Sequence, residues 1–247
     1  MLMQNLQMKP QLCKLLWEEE TFEIKAAKLN LEGEVTKEQW NELNKEFEEY
    51  QMIVINNCGN NSKNNLLIGQ LNNCSVADIN VQFEKKPSNI NEGKNINVKI
   101  TNNKKFDENL IKIAEKSFIY SRFTNDPNLD KEKAKLIYVD WTRNSFNKEN
   151  KYFVNYEDGN KSVGFIVFSI NENIATIELV AVDREYQNKR IGKSMMIELE
   201  RFLNEVKDEV TLIKVGTQAE NENAIRFYQN REFKLVKINT IYHNWNK

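Results

Sequence analysis

The amino-acid sequence predicts a mixed α/β (α+β) protein: a central, mostly antiparallel sheet flanked by helices, preceded by a smaller α/β domain. Three observations carry that expectation. Short runs rich in Val and Ile alternate with amphipathic segments of helical period along most of the chain. Glu157-Asp158-Gly159-Asn160 separates two apolar runs, a hairpin signal in the middle of the alternation. Pro87, Ser88, Asn91 and Gly93 cluster within 86–96 without apolar periodicity, dividing the chain into domains at 1–90 and 96–247.

Ahead of that boundary the pattern reads strand, helix, strand, helix, strand. Phe22, Ile24 and Ala26, then Leu29 and Leu31, mark a strand with an irregularity. Thr36 and Glu38 open a capped helix that places Trp40, Leu43, Phe47 and Tyr50 on one face. Residues 52–56 form a short buried strand, 63–71 a brief helix, and Val76 to Phe83 an alternating strand. Beyond the boundary, 96–100 reads as a strand and 107–120 as a helix with Leu110, Ile111, Ile113, Ala114 and Phe118 inward. A loop at Ser121–Asn128 leads to a second helix over 131–146. The hairpin follows, then a strand at 174–182, a polar loop, and a long helix over 191–205. A strand, a helix from Asn221 to Asn230 and a last strand through His243 complete the chain.

Composition narrows the chemistry. Lys plus Arg number 35 against 36 Asp plus Glu, so net charge gives no case for non-specific nucleic-acid or membrane binding. A mean hydropathy of -0.66 describes a soluble surface, and no apolar run approaches the roughly 18 residues of a membrane helix. The opening stretch through Trp17 is broken by Gln, Lys and Pro and reads as neither signal nor transit peptide. Cys13, Cys58 and Cys74 form no CxxC pair, which fits reduced thiols and a cytoplasmic protein. His243 is the single histidine, which excludes Cys/His and HExxH zinc sites within this chain. It reads as a polar residue of the terminal strand.

The densest chemistry lies where the 174–182 strand becomes the 191–205 helix. A buried strand ending in Val180-Ala181-Val182 turns through a polar loop, Gln187-Asn188-Lys189-Arg190, into a helix opening at Ile191-Gly192-Lys193-Ser194. Backbone N–H groups at such a helix start, with Lys189, Arg190 and Lys193 beside them, suit a pyrophosphate. Gly192 lets a phosphate approach the backbone, and Ser194 keeps the next turn small. The same residues also describe an ordinary strand-to-helix turn with a solvated basic face. Further on, Asn221, Ala224, Tyr228 and Phe233 punctuate a second helix and the strand after it.

Together these segments resemble the Gcn5-related N-acetyltransferase (GNAT) superfamily. Its Gln/Arg-x-x-Gly-x-Gly/Ala signature aligns with Gln187 to Gly192, and its Asn-x-x-Ala-x-x-x-Tyr-x-x-x-Gly-Phe block with Asn221, Ala224, Tyr228 and Phe233. Two positions depart: Arg190 and Glu232 stand where the family usually has glycine. Ser121-Arg122-Phe123, Asn125-Asp126-Pro127, Tyr138, Trp141 and Asn144-Ser145 are similar to the acceptor side of the dTDP-fucosamine acetyltransferases and their relatives. Leu16-Trp17 to Phe22 resembles an element at the start of those enzymes.

The resemblance implies an N-acetyltransferase that takes acetyl-CoA as co-substrate, needs no metal, and acetylates the amine of a nucleotide-linked 4-amino-4,6-dideoxy sugar. It implies that backbone groups of Val180 and Val182 meet the pantetheine arm and that Tyr228 is the general acid. Tyr228 is otherwise a core aromatic of an amphipathic helix. Glu178, at the parity of Val180 and Val182, is a candidate base, or else an exposed strand carboxylate or an ion-pair partner. Arg122 can clamp a phosphate and Phe123 cover a deoxysugar or base, the other readings being a surface ion pair and a loop anchor. Core packing is the favoured role of Tyr138 and Trp141. A peptide or polyamine acceptor, or a non-catalytic acyl-CoA-binding module, are the competing functions, and strand-edge pairing would fit a homodimer.

Overall fold

In the computed structural model the described residues are 10–206 and 210–246. The reading of the opening stretch as lacking a leader therefore falls largely on 1–9, outside the described residues. The chain begins with β1 (Leu12–Lys14), α1 (Leu16–Phe22), β2 (Ala26–Glu32), α2 (Lys37–Phe47), β3 (Met52–Cys58), α3 (Ser62–Ile68) and β4 (Cys74–Lys85). Next come β5 (Val98–Asn102), α4 (Glu108–Ser117), α5 (Arg122–Asn125), α6 (Lys131–Ser145), β6 (Tyr152–Asp158), β7 (Lys161–Asn171) and β8 (Ile174–Val182). A 3₁₀ turn at Arg184–Tyr186 precedes α7 (Ile191–Val206), β9 (Leu212–Gln218), α8 (Glu222–Asn230) and β10 (Lys234–Trp245). The mixed α/β class is the one expected.

Two compact units form, and they are not the sequence halves divided at 86–96. One holds the described residues through Asn80, Asn125–Leu129 and the chain from Lys237; the other holds Val81–Thr124 and Asp130–Val236. The expected linker is instead strapped along α7. Ser88 N–H donates to Glu200 at 3.1 Å, Asn204 Nδ2 to the Ser88 carbonyl at 2.7 Å, and Asn95 N–H to Glu198 at 2.8 Å. Lys85 Nζ, buried at the end of β4, donates to the same Glu200 at 3.0 Å. Carboxylates this deep in α7 are satisfied by backbone donors of the strap and by Lys85, as a buried charge requires.

In the first unit β1 pairs antiparallel with β2, β2 parallel with β3, and β3 antiparallel with the end of β10 (Ile55 opposite Tyr242). Helix α2 starts in a full capping box between Thr36 and Gln39. Its Trp40, Leu43 and Phe47 pack on Leu29, Leu31, Ile53 and Ile55. The expected strand around Phe22 and Ile24 is corrected: Phe22 closes helix α1, and Glu23, at φ 59°, is its left-handed cap. His243 lies in β10 as expected. It has no accessible surface, and its Nδ1 is 2.6 Å from Asp126 Oδ2, to which Trp245 Nε1 also donates at 2.9 Å.

The second unit carries the neighbouring strands β9-β8-β7-β6-β5, antiparallel except for the parallel β8–β9 pair. Leu110, Ile113 and Ala114 of α4 and Val139 of α6 pack on one face, with Phe153, Phe165 and Val167. Met195, Met196 and Leu199 of α7 and Tyr228 of α8 pack on the other, with Val154, Ile166 and Phe168. The β6–β7 hairpin turns where expected, with Gly159 at φ 62°.

Candidate functional site

Strand β8 determines the site. Its pairing with β9 runs from Ile174↔Leu212 to Ile177↔Val215 and then ends. Both strands continue, β8 to Val182 and β9 to Gln218, so their later halves separate. Backbone groups of Glu178–Val182 that point toward β9 are left without a ladder partner, and unpaired backbone of this kind is a ready hydrogen-bonding surface.

The separation begins at a β-bulge. Toward β7 the register passes from Val167↔Leu179 to Phe168↔Ile177 and skips Glu178. One extra residue inverts the alternation. Ala175 and Ile177 face the α7/α8 side, as do Val180 and Val182, whereas Leu179 and Ala181 face α4. The parity that put Glu178 with Val180 and Val182 is therefore corrected. Its carboxylate instead makes a short ion pair with Lys151 and accepts from Ser169 Oγ at 2.7 Å. By the alternation of β6 and β7 both partners lie on the α4/α6 face. Glu178 Oε2 is buried without a hydrogen-bond partner. Of the readings expected for this residue, a base, an exposed strand carboxylate or an ion-pair partner, the ion pair is the one the geometry supplies.

After Val182 the chain makes one 3₁₀ turn capped by Asp183, whose side chain accepts from Glu185 N–H. Gln187 Nε2 donates back to the Val182 carbonyl at 3.3 Å, holding the loop to the strand end. Asn188 and Arg190 have φ of 62° and 61°. Ser194 N–H closes the first turn of α7 on the Arg190 carbonyl at 3.0 Å, so the amides of Ile191, Gly192 and Lys193 precede the first intrahelical bond. Lys189 stands 4.5 Å from the Tyr186 ring centroid, and Lys193 Nζ is 3.4 Å from Glu92. The place a Cβ on Gly192 would occupy is 3.3 Å from the Phe227 ring. The glycine thus lets α7 and α8 approach, a requirement of packing beside the one expected from a phosphate.

Both departures from the glycine pattern sit at left-handed residues, Arg190 at φ 61° and Glu232 at φ 64°. The backbone shape that glycine favours is kept without glycine.

Helix α8 begins at Asn221, whose side chain accepts from Ala224 N–H at 3.1 Å. Tyr228 faces inward and is 5% exposed, with Phe83, Phe227 and Phe233 rings at 5.8, 5.4 and 5.7 Å. Burial pushes its phenol well above the usual range, so it stays protonated. In the loop expected to border an acceptor, Phe123 is buried and the Arg122 guanidinium lies 3.9 Å over its ring, which gives Phe123 the character of a loop anchor. Phe118, Tyr138 and Trp141 form a stacked series, 4.7 and 6.1 Å between successive centroids. Lys151 and Ser169 were missed from sequence, because nothing local ties either to Glu178.

Residues 114–233 match the Acetyltransferase (GNAT) family. This segment is a GNAT acetyltransferase domain. The spore coat polysaccharide biosynthesis protein SpsD of Bacillus subtilis (strain 168) is 27% identical over 138 residues, 56% of this chain. The match spans 47% of that relative, under half its length. A functionally unknown conserved protein from Staphylococcus epidermidis ATCC 12228 superposes with a TM-score of 0.65 at 13% identity, covering 97% of this chain and 92% of its own. A GCN5-related N-acetyltransferase from Sphaerobacter thermophilus gives 0.60 at 12%, covering 96% and 76%. At these identities the likeness is one of fold. GNAT acetyltransferases use acetyl-CoA as donor. The amides of Ile191, Gly192 and Lys193 open a helix, with Lys189 and Arg190 beside them. Among the described residues no group of three or more His, Cys, Asp and Glu could hold a metal ion, and no helix is long and apolar enough to cross a membrane.

Proposed function

We propose that the protein transfers an acetyl group from acetyl-CoA to the amine of a nucleotide-linked amino sugar. The observation that carries the acyl-transfer half is the parting of β8 from β9 directly ahead of the Gln187–Gly192 turn. The sugar half rests on the 27% identity to a polysaccharide biosynthesis protein and on the resemblance around Arg122 and Trp141.

Bound to this site, acetyl-CoA supplies an activated acetyl thioester. The helix-start amides of α7 hold its phosphates, aided by Lys189 and Arg190. The unpaired edge of Glu178–Val182 takes the amides of the pantetheine arm, extending the ladder where β9 leaves it, and polarises the thioester carbonyl. Tyr228, kept neutral by its aromatic surroundings, gives its proton to the departing sulfur. With Glu178 committed to Lys151, the amine's proton leaves to water. The left-handed turns at Arg190 and Glu232 keep the backbone shape of the glycine pattern, which supports a working acetyltransferase over a non-catalytic binding module.

The test is an assay of thiol release with acetyl-CoA and a panel of nucleotide-linked amino sugars, polyamines and peptides. Release with a 4-amino sugar nucleotide, with mass showing one added acetyl group, is expected. Tyr228→Phe should lower turnover by about 10²-fold or more while acetyl-CoA affinity holds. Release with polyamines or peptides alone would overturn the acceptor, and unchanged turnover in the variant would remove Tyr228 as the acid.

A further inference from the structure

A cleft of about 180 Å³ opens between α4, the β6–β7 turn and the 3₁₀ turn after β8. Lys112, Lys116, Lys161 and Arg184 line it against only two carboxylates, Asp183 and Glu185. Lys161 pairs with Asp183 at 3.6 Å and Lys112 with Glu108 at 2.9 Å. Among the described residues, no ion pair or hydrogen bond reaches the side chains of Lys116 and Arg184. Two cations without ion-pair partners lining one concavity raise the local concentration of anions far more than the same charges on a convex surface. Polar groups complete the lining: Asn109, Ser117 and Ser162, the last fixed by Asn155 at 3.0 Å and by Asp107 at 2.7 Å.

Size narrows the ligand. The cleft is smaller than the roughly 300–1,000 Å³ that encloses a whole drug-sized molecule, so it suits one charged portion of a larger one. Arginine and lysine lining one small cleft match adjacent phosphates, the guanidinium by paired N–H bonds and the ammonium as a point charge. The cleft is also placed for an acceptor. Lys116 and Ser117 end α4, and the next residues run directly into Phe118, Arg122 and Phe123.

We propose that this cleft binds the diphosphate of a nucleoside-diphosphate-linked acceptor, with Lys116 and Arg184 as the main cationic contacts. The proposal rests on the reading of the acceptor as a nucleotide-linked sugar and assigns the site that recognises its anionic part.

Calorimetric titration with thymidine and uridine 5′-diphosphate tests it without any turnover. The full chain is expected to bind at least one of them, and the Lys116→Ala, Arg184→Ala double variant to bind at least tenfold more weakly, with coenzyme A affinity unchanged. Lys116→Gln, which keeps the length of the stem, should lose part of the affinity and guards against a folding defect in the double variant. No diphosphate binding, or equal binding by the chain and the double variant, would overturn the proposal. So would a parallel loss of coenzyme A affinity, since the cleft would then serve the donor. The two readings fail separately. Cleft-dependent binding without acetylation of any nucleotide sugar overturns the proposed activity alone, and acetylation with unaltered KM in the double variant overturns the cleft alone.

Discussion

Arg190 and Glu232 show what a motif encodes. Both occupy left-handed backbone where related turns use glycine, and an L-residue held there costs about 1 kcal/mol relative to glycine. Glu232 adds little in return, because its side chain is 82% exposed and its 3.7 Å pairing with Lys85 is solvent-screened. Glu232→Gly should therefore stabilise the protein by about 0.5–1 kcal/mol, read as a higher midpoint in urea at unchanged slope; a lower midpoint would show that the carboxylate matters more than the dihedral. The motif residues themselves were legible in the sequence. Gln187 to Gly192 and Asn221 to Tyr228 are each a local run whose spacing alone fixes a strand-to-helix turn and a helix face.

At the scale of elements, legibility depended on whether an element's behaviour is set by its own residues. The ends of β8 and α7 came within a residue because capping and periodicity are local. The face of Glu178 did not, since a bulge is a property of two strands in register and no residue of β8 announces it. Its consequence is an ion pair that is mostly out of water, Glu178 at 11% and Lys151 at 22% exposure. Removing either partner leaves the other charge buried, and removing both does not. Glu178→Gln and Lys151→Met should each destabilise by about 2–3 kcal/mol, and the double variant by clearly less than the sum of the two. Chemical denaturation of the four proteins measures that coupling; strict additivity would mean that the pair contributes nothing to the bulge.

At the scale of the molecule the sequence boundary at 86–96 was misleading, because glycine and proline mark irregular chain whether or not it separates units. The real division depends on contacts such as Asp126 with His243, 117 residues away. Burial alone would raise the Asp126 carboxyl, but hydrogen bonds from His243, the Asn128 amide and Trp245 outweigh it and lower it to about 2. A carboxyl depressed in the folded state stabilises fully above its unfolded value near 3.9 and loses that contribution as pH falls toward 2. The contribution is about 2 kcal/mol. Asp126→Asn should therefore flatten the fall in stability between pH 4 and 2 while lowering stability at neutral pH, followed by melting temperature across that range. An unaltered acid slope would remove the carboxylate from the balance. The pairing of β3 with the end of β10 also has a bearing on synthesis. Met52–Asn57 leave the ribosome well before their partners Thr240–Trp245, which lie more than 180 residues further along the chain. At roughly 5–20 residues per second, one side of β3 waits on the order of 10–40 s for its neighbour, so the first unit is completed only after nearly all of the second has been made.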